Sequence, residues 1–333
     1  MFYSLIVPLY NRPNEIKELL ESLSLQTYSN FEVIVVEDGS TISSKDIVDR
    51  YNENFALEYF SKENSGPGLT RNFGAEQAKG EYFIFFDSDC IIPSKYLEIV
   101  NENLKLNFLD AFGGPDKSHP SFTDVQKAIN YSMTSLFTTG GIRGNKKHIG
   151  VFHPRSFNMG ISRIAFESLN GFSSLRFGED IDFSTRIIDK GYKTGLLHEA
   201  YVFHKRRTNF TRFFRQVFNS GIARINLFKR HPSSLQVVHF FPAMFTIGLF
   251  ISIVLSIVLP IYGAILMACF LIYFLAIAID AAIQNKSMRI GLLAIVAGSI
   301  QLIGYGSGFI SAYFKRVVFR KEEFSAFTKN FYK

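Results

Sequence analysis

Three acidic clusters stand among apolar runs ahead of residue 205: Glu37-Asp38, Asp87-Ser88-Asp89 and Glu179-Asp180-Ile181-Asp182. The middle one closes the stretch "FIFFDSDC", where four apolar residues, Phe83 to Phe86, run directly into two carboxylates one residue apart. Two hard oxygen ligands so placed suit a Mg²⁺ or Mn²⁺ ion that carries a diphosphate. The same pair has a plainer use, in which one Asp caps the next helix and the other is solvated. The acids at 179–182 would also be stabilised by roughly 0.3–1 kcal/mol at a helix amino terminus without doing any chemistry.

Whether such carboxylates converge depends on the elements that carry them. Tyr3 to Val7, Phe31 to Val36, Leu57 to Phe60 and Tyr82 to Phe86 are short apolar runs rich in β formers, and each reads as a strand. Between them lie helical patterns: Ile16, Leu19, Leu20 and Leu23 at helical spacing with Pro13 suited to a first turn, a weaker helix over Lys45 to Tyr51, and Leu69 to Ala78 opened by Gly66-Pro67-Gly68. Strands buried on both faces and alternating with helices predict an α/β fold with a mostly parallel sheet covered by helices. Such sheets bind ligands beyond the carboxyl ends of their strands, and "PLYNR", "EDGS" and "DSD" fall at those ends.

Taken together, "VPLYNR" (Val7 to Arg12), "VVEDGS" (Val35 to Ser40), "NSGPGLTRNFG" (Asn64 to Gly74), "FFDSDC" (Phe85 to Cys90) and "FGEDIDFSTRI" (Phe177 to Ile187) resemble the motifs of a family 2 glycosyltransferase of the GT-A fold, in order, over residues 1 to about 220. The resemblance implies that Pro8, Tyr10, Asn11, Asp38 and Arg71 contact the nucleotide, with Asp38 accepting from a base N–H. An Arg on a helix surface is the plainer reading of Arg71. It implies that Asp87 and Asp89 hold the metal and the sugar diphosphate, Asp89 more directly. The catalytic base would lie in the Glu179-Asp180 element, on Asp180 with Glu179 as the alternative, and would deprotonate the acceptor hydroxyl as it attacks from the face opposite the leaving diphosphate. His204, in "VFHKRR", stands where similar enzymes often have a histidine near the metal or phosphates, although a lone His is commonly structural. Arg206 and Arg207 could hold a phosphate or face headgroups, and Lys62, His148 and His153 have no comparable support. Glu37 stands where the family commonly has Asp.

The resemblance therefore implies an inverting, hexosyl- or related glycosyltransferase that uses Mn²⁺ or Mg²⁺, a nucleotide-sugar donor and a membrane-presented acceptor such as a lipid-linked glycan or glycolipid precursor. A polyprenyl-phosphate glycosyltransferase is the nearest rival, but those enzymes usually continue as Asp-x-Asp-Leu-Gln where this chain reads Asp87-Ser88-Asp89-Cys90-Ile91. A non-catalytic membrane module of the same fold is a more distant one. Processive synthases of the family typically read Gln-x-x-Arg-Trp, and this chain has no Trp, so a non-processive enzyme is expected.

The 333 residues carry a net charge of +7. The basic residues crowd beside apolar segments, which favours anionic lipid headgroups over nucleic acid as their partner. Val237 to Ile279 holds no Asp, Glu, Lys or Arg, and would span roughly 65 Å as one helix, about twice a hydrocarbon core. Two membrane helices broken near Pro260 (238–259 and 261–280) and a third at 290–314 are expected after a cytosolic domain of residues 1–230, with a basic tail at 315–333. A multi-pass membrane protein is therefore expected, in a bacterial inner membrane and without a signal peptide. Arg212, Arg215, Arg224, Lys229 and Arg230 precede the first segment, and Lys315, Arg316, Arg320 and Lys321 follow the last. Both groups favour the cytoplasm, yet an odd number of spans would separate them. One segment is thus expected to be re-entrant or interfacial: the last, with "GYGSGF", or the first, with His239 and Pro242. "RFFRQVFNSGIAR" (Arg212 to Arg224) reads as an amphipathic helix leading to the membrane. Cys90 and Cys269 make neither a disulfide framework nor a thiolate metal site.

Overall fold

A computed structural model describes residues 1–140 and 152–327. Its elements run β1 (Tyr3–Leu9), α1 (Pro13–Leu23), β2 (Phe31–Asp38), α2 (Lys45–Asp49), β3 (Ala56–Lys62), α3 (Pro67–Gln77), β4 (Tyr82–Phe86), β5 (Cys90–Ile91), α4 (Tyr96–Leu106), β6 (Ala111–Gly113) and β7 (Asp116–Lys117). Next come α5 (Asp124–Thr134), α6 (Leu136–Thr139), β8 (Asn158–Ser162), α7 (Arg163–Ser168), α8 (Glu179–Asp189), β9 (Thr194–Leu196) and β10 (Val202–His204). Four long helices follow: α9 (Phe210–Arg230), α10 (Phe241–Val258), α11 (Pro260–Asn285) and α12 (Met288–Ala312). The described residues form two compact units, one of residues 1–119 and 152–205, the other of residues 120–140 and 206–327.

The first unit is built on a seven-stranded sheet of order β3-β2-β1-β4-β8-β6-β9. Only β8 runs against its neighbours; β1, β2, β3 and β4 are parallel, as are β6 and β9. The expected mostly parallel sheet covered by helices is therefore present. The apolar runs of β1, β2 and β4 are buried on both faces, with Leu5, Val33 and Ile84 in one packed layer and Ile6, Ile34 and Phe85 in the other. The strands and helices expected up to β4 all form, with ends displaced by at most two residues; the third strand begins at Ala56 and runs on to Lys62.

A second, three-stranded sheet of order β5-β10-β7 stands beyond the end of β4. β10 pairs antiparallel with β5, placing His204 opposite Cys90, and parallel with β7, placing Val202 opposite Asp116. Its strands of two or three residues left no periodic trace in the sequence, but they carry the histidine to the acidic pair.

In the second unit, α10, α11 and the run from α12 through Val318 are long and apolar enough to cross a membrane. The segments read as 238–259, 261–280 and 290–314 are observed as Val237–Val258, Pro260–Asn285 and Met288–Val318. The "GYGSGF" glycines lie inside regular α12, and the irregularity comes later, as a π-helical turn at Tyr313–Val318. The segment with His239 and Pro242 does begin irregularly, with a 3₁₀ turn at Val237–Phe240. The amphipathic helix expected over residues 212–224 is α9, longer at both ends and capped by the Asn209 side chain on the Arg212 N–H. His148 and the end of the basic tail lie outside the described residues.

Candidate active site

β1, β2 and β4 end side by side, so the polar segments that follow them share one edge of the sheet. The first two are tied together by Asn11, whose φ of +51° turns the chain sharply after β1. Its side-chain carbonyl accepts from the Thr41 N–H (2.8 Å), the Thr41 hydroxyl (3.0 Å) and the Ile42 N–H (3.3 Å), while its own N–H donates to Ser40 Oγ (2.9 Å). Asp38 organises the neighbouring loop. It accepts from the Ser65 and Gly66 N–H groups, both at 2.9 Å, and pairs with Lys62. Gly39, at φ +70°, is required between them, because a Cβ there would lie 2.7 Å from the Asn64 nitrogen. Glu37 accepts from Ser43 and from the Ser44 N–H, so this departure from the family pattern holds the following turn. Pro8 and Tyr10 are half-buried at the same edge.

The acids at the tip of β4 are compensated by cations from elsewhere in the chain. Asp89 pairs with Arg12, and its Oδ1 lies 3.2 Å from His204 Nε2. Burial alone would raise the Asp89 pKa, but the Arg12 guanidinium and His204 outweigh it and hold the carboxyl well below the usual range. Asp87 is the more open of the two, with 32% of its side chain exposed against 12% for Asp89. It accepts from Arg71 at 2.6 Å and lies 4.0 Å from His204 Nε2. His204 stacks on Phe157 (4.9 Å between ring centres) and turns Nδ1 toward Asp116, 3.9 Å away.

Arg71 is the pivot between clusters. It is 2% exposed, over the Phe172 ring, and one guanidinium reaches Asp87 at 2.6 Å and Glu179 at 3.1 Å. The surface-arginine reading of Arg71 is thereby excluded. Glu179 and Asp180 open α8 immediately after Gly178, whose φ of +82° starts the helix abruptly. Burial, reinforced by the adjacent Asp180 charge, pushes the Glu179 pKa up to about 7 despite Arg71. Asp180 faces Arg155 at 2.7 Å. Asp182 is buried and pairs with Arg186 within α8, at 3.1 Å.

Asp89 Oδ1 is buried and has no aligned hydrogen-bond partner, and the ligand atoms of Asp89, Cys90 and His204 lie within 4.8 Å of one another. Carboxylate oxygen and imidazole nitrogen fit a hard divalent cation such as Mn²⁺. The buried Cys90 thiol, its pKa pushed well up by desolvation, stays protonated and does not offer a thiolate.

Asp87, Asp89 and His204 are thus brought together, and Arg71 joins them to Glu179. Arg12, Arg155 and Asp116 were missed as site residues. "YNR" contained Arg12, but its partner lies 77 residues on. Of the residues without support, Lys62 serves Asp38 and His153 approaches Ser184 at 3.2 Å. Arg206 is buried in the second unit, where it donates to Asn130 at 3.1 Å, so it does not face headgroups.

Residues 4–169 match the model of glycosyl transferase family 2. An uncharacterized glycosyltransferase of Haemophilus influenzae is 32% identical over 216 residues, covering 62% of this chain and 70% of that protein. One from Rickettsia felis is 34% identical over 145 residues, which are 42% of this chain and only 22% of the relative's length. Among solved structures, the mannosyltransferase PcManGT of Pyrobaculum calidifontis, in complex with GDP-Man and Mn²⁺, superposes with a TM-score of 0.61 at 17% identity, covering 94% of this chain and 87% of that one. That likeness extends to the fold alone. The chain belongs to glycosyl transferase family 2, with a GT-A fold and C-terminal helices long and apolar enough for a membrane.

Two consequences are measurable. Replacing Arg71 by Met leaves Asp87 and Glu179 without their shared cation, and should lower stability by about 3–5 kcal/mol in denaturant unfolding. The double variant with Glu179→Gln should recover part of that loss. A Glu179 pKa raised from 4.5 to about 7 means that the folded chain holds a proton the unfolded chain has released. Stability contributed by this group is therefore full below 4.5 and lost as pH rises toward 7. Glu179→Gln should flatten that fall in thermal melts taken across the range; an unchanged slope would assign it to another group.

Proposed function

We propose that the protein is a metal-dependent, inverting, non-processive glycosyltransferase that moves a hexosyl or related sugar from a nucleotide diphosphate donor to an acceptor presented at a membrane. The acceptor class is a lipid-linked glycan or glycolipid precursor of cell-envelope synthesis, and the catalytic unit works at the cytosolic face, as in a bacterial inner membrane. The observation that carries this reading is the placement of Asp87, Asp89 and His204 at one strand tip, linked through Arg71 to Glu179 beside Asp180. The Mn²⁺ and GDP-Man bound by the structural neighbour support the donor class.

On this reading Asp89, His204 and Asp87 hold the divalent cation, which neutralises the diphosphate leaving group when bound. Pro8, Tyr10 and Asn11 border the nucleotide, and Asp38 shapes the adjoining loop while its carboxylate faces the Ser65 and Gly66 N–H groups. Arg71 holds Asp87 toward the diphosphate and keeps Glu179 from pairing elsewhere. Asp180 removes the acceptor proton, Arg155 fixing its carboxylate; Glu179, whose proton is held until near neutrality, is the alternative base.

Asp180→Asn should lose about 10²–10⁴-fold in transfer with donor binding retained. Full activity in that variant would remove Asp180 as base. If Glu179→Gln alone were silenced, the base would move one residue. Asp89→Ala should abolish Mn²⁺-dependent donor affinity in calorimetry, and unchanged affinity would displace the metal site. The broad assay is nucleoside diphosphate release by detergent-solubilised protein with a panel of UDP-, GDP- and dTDP-sugars, with and without lipid extract. Release from one donor, increased by lipid, supports the acceptor class.

A further inference from the structure

The three apolar helices of the second unit differ in their neighbours. In its most apolar stretch, α12 is 50% buried within the protein, against 22% for the segment containing α10 and 17% for α11. What covers α12 is chiefly α9. A Cβ on Gly221 would come within 2.2 Å of the Tyr305 carbonyl oxygen, and one on Gly308 within 2.0 Å of the Phe218 carbonyl oxygen. Val217 faces Gly304, and Ile222 and Ile225 cluster with Phe309 and Ala312. Residue numbers rise together on both helices, so the two run side by side in parallel.

A helix in that register shares the depth of its neighbour, and α9 cannot sit in hydrocarbon. It carries Arg212, Arg215, Arg224, Lys229 and Arg230. Its buried Asn219 exchanges two hydrogen bonds with the Ala326 backbone (2.9 and 2.8 Å), Asn226 donates to the Phe324 carbonyl (3.2 Å), and Arg230 pairs with Glu323 at 3.0 Å. The chain beyond α12 thus returns along α9, the helix that precedes α10. The start of α12 and the adjoining end of α11 also meet polar groups: Arg289 of α12 pairs with Asp124 of α5 at 3.3 Å, and Tyr131 of α5 donates to Asp280 of α11 at 2.5 Å.

α10 and α11 form an antiparallel hairpin, in which Phe245 meets Phe270 (5.1 Å) and Ser252 donates to Met267 Sδ (3.3 Å). α12 meets this hairpin near its open end. Thr246 donates to the Leu302 carbonyl at 3.4 Å, and a Cβ on Gly291 would lie 2.5 Å from the Ala278 carbonyl oxygen. From Phe245 to the Pro260 turn is about 22 Å of helix, short of the ~30 Å hydrocarbon core. The turn itself is apolar, with Ile257 79%, Val258 66%, Ile261 75% and Tyr262 63% exposed. A turn emerging into water would be expected to carry charge, and none lies between Val237 and Ile279.

We propose that the protein enters the bilayer from one face only: the α10–α11 hairpin dips into hydrocarbon and ends there at Pro260, while α12 lies with α9 in the headgroup layer of an anionic leaflet. This satisfies the basic residues on both flanks, Arg212 to Arg230 and Lys315 to Lys321, which a third span would have set on opposite sides. It replaces the multi-pass expectation with one-sided insertion.

The test uses full-length protein in cell membranes, with one cysteine at a time added to a Cys269→Ser background, which retains only the buried Cys90 and serves as the unlabelled control, at Thr211 (α9), Ile261 (the hairpin turn), Met288 (the start of α12) and Glu322 (the tail). Spheroplasts and inverted vesicles are treated with a membrane-impermeant maleimide. Thr211→Cys, Met288→Cys and Glu322→Cys should label from the same side, and Ile261→Cys from neither side until detergent is added. Labelling of Met288→Cys and Glu322→Cys from opposite sides would make α12 a span and overturn the proposal. Labelling of Ile261→Cys from the side opposite Thr211→Cys would make the hairpin cross and overturn it equally. Should a cysteine at Ile261 impair insertion, a nitroxide at Leu292 on α12, in phosphatidylglycerol–phosphatidylethanolamine vesicles, reads the same geometry. Relaxation chiefly by a water-soluble nickel chelate is expected, and relaxation chiefly by dissolved oxygen would overturn the interfacial placement.

Discussion

Carboxylates gathered at the tips of parallel strands must be compensated, because an uncompensated buried charge costs several kcal/mol. Here four cations serve five acids: Arg12 on Asp89, Arg71 shared by Asp87 and Glu179, Arg155 on Asp180 and Lys62 on Asp38. Arg71 matters most, since it is the most buried of these cations and joins the strand-tip acids to α8. Phe172 beneath it and Asn72, which receives the Phe172 N–H at 2.8 Å and donates to its carbonyl at 2.8 Å, fix the loop that supports its guanidinium. The sheet thus supplies position, and the arginines decide which charges can coexist there.

The same pairing explains why the site is preorganised at some positions and adaptable at others. Asn11 and Asp38 spend their polar groups on backbone N–H donors of neighbouring loops, so those loops hold their shape by themselves. Asp87 keeps about a third of its side chain open, and Asp89 Oδ1 remains without an aligned donor. Groups that fix the frame are satisfied by the chain, whereas Asp87 and Asp89 retain capacity for a further partner.

How much of this was legible follows from the range of each interaction. Parallel strands buried on both faces must be written as continuous apolar runs, so β1, β2 and β4 could be read directly, and with them the edge where Asp38, Asp87 and Asp89 stand. Strands as short as β5, β7 and β10 have no period to detect, and they are what brings His204 and Asp116 to Asp89. Arg12 stood in plain view within "YNR". Its role depends on Asp89, 77 residues away, and local spacing does not encode such a pairing. Gly39 and Gly178 could be seen as turn residues, but the contacts and φ values that require them come from the folded chain.

Apolar length alone was weaker evidence in the second unit, for a physical reason. A bilayer core and a protein interior both exclude charge, so a charge-free segment is compatible with either. α12 resolves that ambiguity through its small residues. Gly304 and Gly308 let side chains and backbone of α9 approach closely, and Ala294 and Ala297 lie in a cluster with Phe213 and Val217 of α9 and Ile129 of α5. Packing against polar-faced helices needs a small-residue seam, whereas a lipid-facing surface is better served by large side chains such as those exposed on α10 and α11. The glycines of "GYGSGF", which as letters suggested an irregular segment, therefore mark the face on which a regular helix is covered by protein.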